Sequence, residues 1–147
     1  MRMVKMIAGA ALVAAVSPAL AGDVTVTLEG VRAGAGPLYV ALQTEEQFMG
    51  DASVAGTLVD NPDSDRVSVT LSDVPSGAYG LAVWHDIDRD GQFGMGPMGP
   101  TDGWAMIGGA SMRGEPTFAQ ASFTVDEDGA TLVETMIYPR KDDDRDR

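Results

Sequence analysis

The chain has 147 residues, 22 of them acidic and 10 basic, a formal charge of −12 and no cysteine. That balance opposes binding to nucleic acid or to anionic lipid surfaces and favours cations, basic partners or plain solubility. Without cysteine there are no disulfide staples, so stability has to come from a core and from any ion that the folded chain binds.

Arg2 and Lys5 precede an apolar run from Ile7 to Val16, and Ala19-Leu20-Ala21 has the small-x-small pattern that a signal peptidase cuts. The run is too short to cross a bilayer comfortably. Residues 1–21 are therefore expected to be a signal peptide. The mature protein should then be periplasmic or secreted and begin at Gly22, with no membrane insertion after cleavage. Residues 22–139 are enough for one domain with its own core. Residues 140–147 are a charged tail with no apolar residue, expected to fray.

Asp23 to Glu29 sets Val24, Val26 and Leu28 against Thr25 and Thr27, the pattern of a half-buried strand. A Gly-rich turn over 30–37 leads to a second strand through Leu38, Val40 and Leu42. Thr44 to Phe48 reads as a single helical turn capped by Thr44. Val54 to Val59 reads as a short or edge strand, and Asn61-Pro62-Asp63 as a turn. Arg66 to Val74 alternates Val67, Val69 and Leu71 with Ser68 and Thr70. Pro75-Ser76-Gly77 then predicts an antiparallel hairpin with the next strand, Gly77 to His85. An irregular stretch rich in Gly, Pro and Met follows to Pro116, a length that points to function or disorder. Alternation restarts at Ala119, Ala121, Phe123 and Val125, and a last strand runs from Thr131 to Tyr138. About seven short strands with no sustained helical period predict a single all-β sandwich.

The chemistry concentrates where the strand from Gly77 ends. Asp86-x-Asp88-x-Asp90-Gly91 places three hard oxygen ligands at alternate positions, with Gly permitting a sharp turn. This is the opening of a helix-flanked calcium loop, but the twelfth position, where that loop carries a bidentate Glu, is Pro97. Calcium is the ion such ligands suit, and Asp102 could fold back as a further ligand. The plain alternative is an exposed turn whose Asp side chains bond their own backbone. His85, the only histidine, could join the site or pair with an Asp; its plain role is to hold loop backbone.

Other chemistries are weaker. Met95, Met98, Met106 and Met112 lie in or near the same loop, and their thioethers would suit Cu(I), the basis of an alternative reading as a periplasmic copper-binding protein. Methionine equally fills gaps beneath irregular loops. Trp104 could cover the core or offer a stacking surface to a saccharide or peptide. A hydrolase built on His85 and the acidic cluster finds neither a Gly-x-Ser-x-Gly elbow nor a cysteine to supply a nucleophile. A binding or structural module, with a protein, peptide or saccharide as its ligand, is the function class that remains.

The run from Ser76 to Gly91, the later Pro116-Thr117-Phe118-Ala119-Gln120-Ala121-Ser122-Phe123 and the final strand resemble the DUF2141 family, small exported bacterial proteins of unknown function. The pattern shared is Gly-x-Tyr leading through an apolar strand to His-Asp-x-Asp-x-Asp-Gly, then a Gly-rich loop and a Phe-x-x-Ala-x-Phe strand. The resemblance implies an immunoglobulin-like or transthyretin-like sandwich and carries no activity with it. Gln92-Phe93-Gly94 departs from the Lys-Leu-Asp common at that place, which removes one acidic group.

Overall fold

The computed structural model describes residues 20–140. Nearly all of the expected leader and of the charged tail lies outside the described residues. Where β-branched and apolar residues alternate with polar ones, the chain forms strands. Strand β1 (Ala21–Glu29) buries Val24, Val26 and Leu28 completely. On its other face Thr25 and Thr27 share hydrogen bonds with Thr70 (3.3 Å) and Ser68 (2.7 Å). β1 is the middle strand of three: β4 (Val67–Pro75) runs antiparallel on one side and β10 (Ala130–Thr135) parallel on the other.

The second sheet has the order β3 (Ala55–Val59), β2 (Leu38–Gln43), β5 (Gly77–His85), β8 (Gly103–Ala105), with β9 (Ser122–Val125) also paired to β5. A small hairpin of β6 (Met95–Gly96) and β7 (Gly99–Pro100) belongs to neither sheet. Val24, Val26 and Leu28 meet Leu38, Val40, Leu42, Leu81 and Val83 in one core between the sheets. Each such side chain contributes about 1.5–3 kcal/mol by leaving water. The fold is thus the expected all-β sandwich, with ten strands rather than about seven because the stretch expected to be irregular contains β6, β7 and β8.

Strand β5 is paired along one edge by β2, from Gly80↔Gln43 to His85↔Leu38. Its other edge is shared. β9 covers the first half, Gly77 to Gly80, and β8 covers the end, Val83 to His85. Tyr79, Leu81, Val83 and His85 face the core. On the opposite face Phe48, from the turn after β2, lies over Gly80, so that β5 is covered on both sides there.

Three local expectations are corrected. β4 and β5 do not form a hairpin: β4 pairs with β1 and β5 with β2, so Pro75-Ser76-Gly77 carries the chain from one sheet to the other. Pro75 has no N–H to continue a ladder, and the Tyr79 hydroxyl donates to the Pro75 carbonyl at 2.7 Å across that corner. Thr44 to Phe48 forms successive turns rather than a capped helix, and Thr44 N–H donates to the Gln47 side chain. Ala119 and Ala121 lie not in a strand but in a single helical turn, α1 (Phe118–Ala121), closed by a reciprocal cap between Thr117 and Gln120.

The corner bond gives a direct check. Tyr79→Phe keeps the ring in the core and leaves the Pro75 carbonyl without its donor, which should cost about 1 kcal/mol. Urea unfolding should show a lower midpoint with an unchanged slope. An unchanged midpoint would mean that the corner is held by packing alone.

Candidate metal centre

The site follows from strand parity. Side chains alternate faces along a strand, so if His85 points inward, Trp84 and Asp86 point outward. His85 is the last registered partner of β8, opposite Gly103. One step further out, Asp86 and Asp102 come opposite each other on the outer face. Both are buried, Asp86 beneath its own loop and Asp102 completely. Like charges placed opposite each other across a ladder are destabilising. Among the described residues no basic side chain forms an ion pair with either; the one ion pair is Arg66–Glu29, at 2.6 Å.

The loop after Asp86 adds two more carboxylates. Arg89 (φ +59°) and Gly91 (φ +75°) adopt left-handed backbone, which curls the chain back on itself. Asp86 Oδ2 then accepts from Gly91 N–H at 2.9 Å, and Asp86 Oδ1 from Asp90 N–H at 3.3 Å. Asp88 Oδ1 accepts from Asp90 N–H and Asp90 Oδ1 from Gln92 N–H. These last two are ordinary Asx turns and call for no ion by themselves. Asp86, Asp88, Asp90 and Asp102 nevertheless each offer a ligand oxygen, and the four oxygens lie within 4.8 Å of one another. Asp88 and Asp90 are exposed and form the rim; Asp86 and Asp102 form the floor. Reduced solvation in the loop, together with hydrogen bonds to Asp86 and Asp90, pushes the Asp88 carboxyl up to about 6.

Asp102 stands apart from the other three carboxylates in how its two oxygens are bonded. Its Oδ2 accepts from Trp84 Nε1–H and from Gly94 N–H, both at 3.1 Å. Its Oδ1 is buried and has no hydrogen-bond partner at all. Leaving a buried acceptor unpaired costs about 1–3 kcal/mol, and more when it is charged. A cation is one partner that such an oxygen, surrounded by three other carboxylates, could accept.

His85 does not join them. Its Nε2 lies 3.0 Å from the Gly36 carbonyl, which can only accept, so Nε2 carries the proton. Nδ1 therefore accepts from the Tyr138 hydroxyl at 2.7 Å, and that hydroxyl accepts from Arg32 N–H at 2.9 Å. The Arg32 guanidinium sits 4.3 Å above the Tyr138 ring. A Cβ at position 103 would run into that ring, so only Gly fits between His85 and Tyr138. His85 thus holds the 30–37 loop and the C-terminal segment against β5, the plain role open to it in the sequence.

Two residues that the sequence did not single out complete the site. Trp84 positions Asp102, and Tyr39 stacks on Trp84 with ring centres 4.6 Å apart and planes 14° from parallel. Phe93 meets the Trp84 ring edge-on. Trp84 shares the outer face with Asp86, and that parity was the available signal. Trp104, opposite Trp84 on β8, is half-buried against Gly109. The four methionines divide between two turns: Met95 and Met98 on the β6–β7 hairpin, Met106 and Met112 around the 3₁₀ turn Gly109–Ser111.

A family model described as an uncharacterized protein conserved in bacteria matches residues 26–133. The chain belongs to the DUF2141 family. In this DUF2141 domain the match runs from within β1 to within β10 and includes the whole acidic loop. No curated protein and no solved structure matches the chain.

The buried histidine makes the stability of this DUF2141 domain depend on pH. Desolvation is the main cause that holds the His85 pKa below its ordinary value; the bond to Gly36 opposes it and Arg32 reinforces it. The unfolded ring takes its proton at about pH 6.5. The stability of the neutral, buried ring is therefore complete above about 6.5 and is lost as the pH falls towards the lower folded value. Asp88 works in the opposite sense but is common to both chains in a comparison with His85→Gln. The stability gap between the wild type and His85→Gln should narrow between about pH 7.5 and about pH 5.5 in urea titrations. A constant gap would show that His85 is not held neutral.

Proposed function

We propose that Asp86, Asp88, Asp90 and Asp102 bind one divalent hard cation, calcium by preference, which locks the outer end of an exported binding module. The unpartnered, buried Oδ1 of Asp102 carries this reading. An all-oxygen set selects hard ions over copper or zinc. Size then favours calcium. Two ligands on opposite sides of a common ion stand about 4.6–5.2 Å apart for calcium and about 4.0–4.2 Å apart for magnesium. The four oxygens lie within 4.8 Å of one another, a span within reach of calcium's longer bonds, and calcium tolerates an irregular ligand set where magnesium demands a near-ideal octahedron. With Asp102 in place of the missing bidentate Glu, affinity should fall in the range of extracellular modules, about 10⁻⁴–10⁻³ M. The basic, apolar and Ala-x-Ala segments at the N terminus support export.

Calcium added to metal-free protein should raise the melting temperature. At ten times Kd the stabilisation is about 1.4 kcal/mol, or about 3–6 °C for a domain of this size. Asp102→Asn should abolish the shift and leave the metal-free protein no less stable, because it removes one of two facing buried charges. Asp88→Asn, on the rim, should only weaken the response. Met95→Leu with Met98→Leu should leave it intact. A metal-free protein that shows no shift with millimolar calcium would remove the cation site. Tight Cu(I) binding lost in the methionine variant would put the thioethers in its place.

A further inference from the structure

We infer that the segment after β10, Met136 to Tyr138, is a latch that positions Asp102, with Ile137 and Tyr138 as its positioning residues. Its bearing on an ion rests on the cation site proposed above. Met136 N–H donates to the Glu29 carbonyl at 2.9 Å and so continues the ladder of the first sheet. One residue later the chain has changed sheets. Ile137 exchanges both backbone hydrogen bonds with Trp104, its N–H donating at 2.8 Å and its carbonyl accepting at 2.9 Å. Trp104 lies in β8, at the edge of the second sheet. The segment therefore ties the two sheets together at the end where Asp102 stands.

Asp102 needs such a tie. β8 has three residues and is paired along one edge by β5, from Val83 to His85. On its other edge Ile137 is the one backbone partner among the described residues. A strand this short with one edge bare opens at little cost. Tyr138 secures the neighbouring position. Its ring lies against Gly103, where no Cβ fits, and its hydroxyl donates to His85 Nδ1 and accepts from Arg32 N–H. The latch thus grips the two residues that follow Asp102, Gly103 through a ring and Trp104 through backbone. Glu134 adds a third tie beyond β8, its carboxylate accepting from Gly108 N–H at 3.1 Å.

The load on the latch is electrostatic. Asp86 and Asp102 are both buried and belong to one cluster of four carboxylates, so their repulsion pushes β8 away from β5. Fraying of β8 would relieve that repulsion and would also break the bond from Trp84 Nε1–H to Asp102 Oδ2. The bonds between β5 and β8 oppose this from one edge, and Ile137 with Tyr138 opposes it from the other. The Trp84 indole is therefore a gauge of where Asp102 stands, with or without an ion. Partners that orient a metal ligand in this way typically change metal affinity by about 10–100-fold when they are removed.

The test reads that gauge by nuclear magnetic resonance. The chain has two tryptophans, so two indole N–H signals are expected, and Trp104→Phe leaves that of Trp84. In metal-free protein Tyr138→Ala should move the Trp84 signal towards that of a free indole and speed its exchange with water. Tyr138→Phe keeps the ring on Gly103 and should leave the signal near its wild-type position. Val26→Ala, in the core of the first sheet, should lower the urea midpoint without moving the signal. An unmoved signal in Tyr138→Ala overturns the latch. If that variant does not fold, the wild type decides: the Trp104 and Ile137 amides and the Trp84 indole should exchange as one unit. An indole that exchanges independently of the two amides overturns the latch. Calcium separates this inference from the cation site. Tyr138→Ala should need about tenfold or more calcium for half of its melting shift, and an unchanged requirement overturns the latch. A wild type with no calcium shift, beside a displaced indole in Tyr138→Ala, removes the cation site and leaves the latch on Asp102 standing.

Discussion

The structure depends on how β5 divides its free edge. One edge of the strand is filled by β2, while the other passes from β9 to β8 along its length. A single long partner there would have left no reason for a second strand to begin beside His85. Because β8 starts there, residue 102 comes level with residue 86, and a carboxylate sixteen positions away in the chain is delivered to the acidic loop. The long stretch after Gly91 is thus the route by which the chain leaves β5, adds the hairpin and returns as β8. Its Gly and Pro content serves turns rather than disorder.

The same ladder creates an energetic conflict. A sandwich held by alternating Val and Leu has no need of two buried, facing carboxylates, and the like-charge contact works against it. Local rules are broken in this way where function is placed, and the cost is met by the rest of the fold. Here the buried core of both sheets supplies that reserve, and Trp84 with Gly94 satisfies one Asp102 oxygen while leaving the other open. A neutral donor on that second oxygen would have removed the conflict at little expense. Its absence is the feature on which the proposed cation site rests.

The strands were legible wherever one face is buried. Val24, Val26 and Leu28, and likewise Leu38, Val40 and Leu42, mark their own inward side by period two. Which strand pairs with which is not a local property. The Pro-Ser-Gly link between β4 and β5 fits a hairpin or a change of sheet equally well, and only the longer-range match of β4 to β1 decides it. The α1 turn was legible in part: Thr117 and Gln120 stand three apart, as a capping box requires, but Ala119, Ala121, Phe123 and Val125 imitate strand alternation. The acidic loop was visible as a motif. Asp102 belonged to it only as a possibility, because its place depends on β8; Trp84 was signalled by its parity with Asp86, whereas Tyr39 and Tyr138 took their roles from contacts no local pattern encodes.

His85 shows how parity could have gone further. Tyr79, Leu81 and Val83 fix the inward face of β5, and His85 continues that series while Asp86 falls on the other side. A histidine and an aspartate adjacent in a regular strand cannot both face one ion without breaking the strand. The strand does not break: His85 keeps its register with Leu38 and Gly103. The single residue step between them separates two kinds of chemistry at one strand end. Inside, a neutral imidazole, a phenol and a backbone carbonyl are fully satisfied and hold the loops in place. Outside, four carboxylates remain with an oxygen unspent. Rigidity on the inner face is what keeps Asp86 fixed while the exposed rim, Asp88 and Asp90, stays free to adjust to whatever occupies the centre.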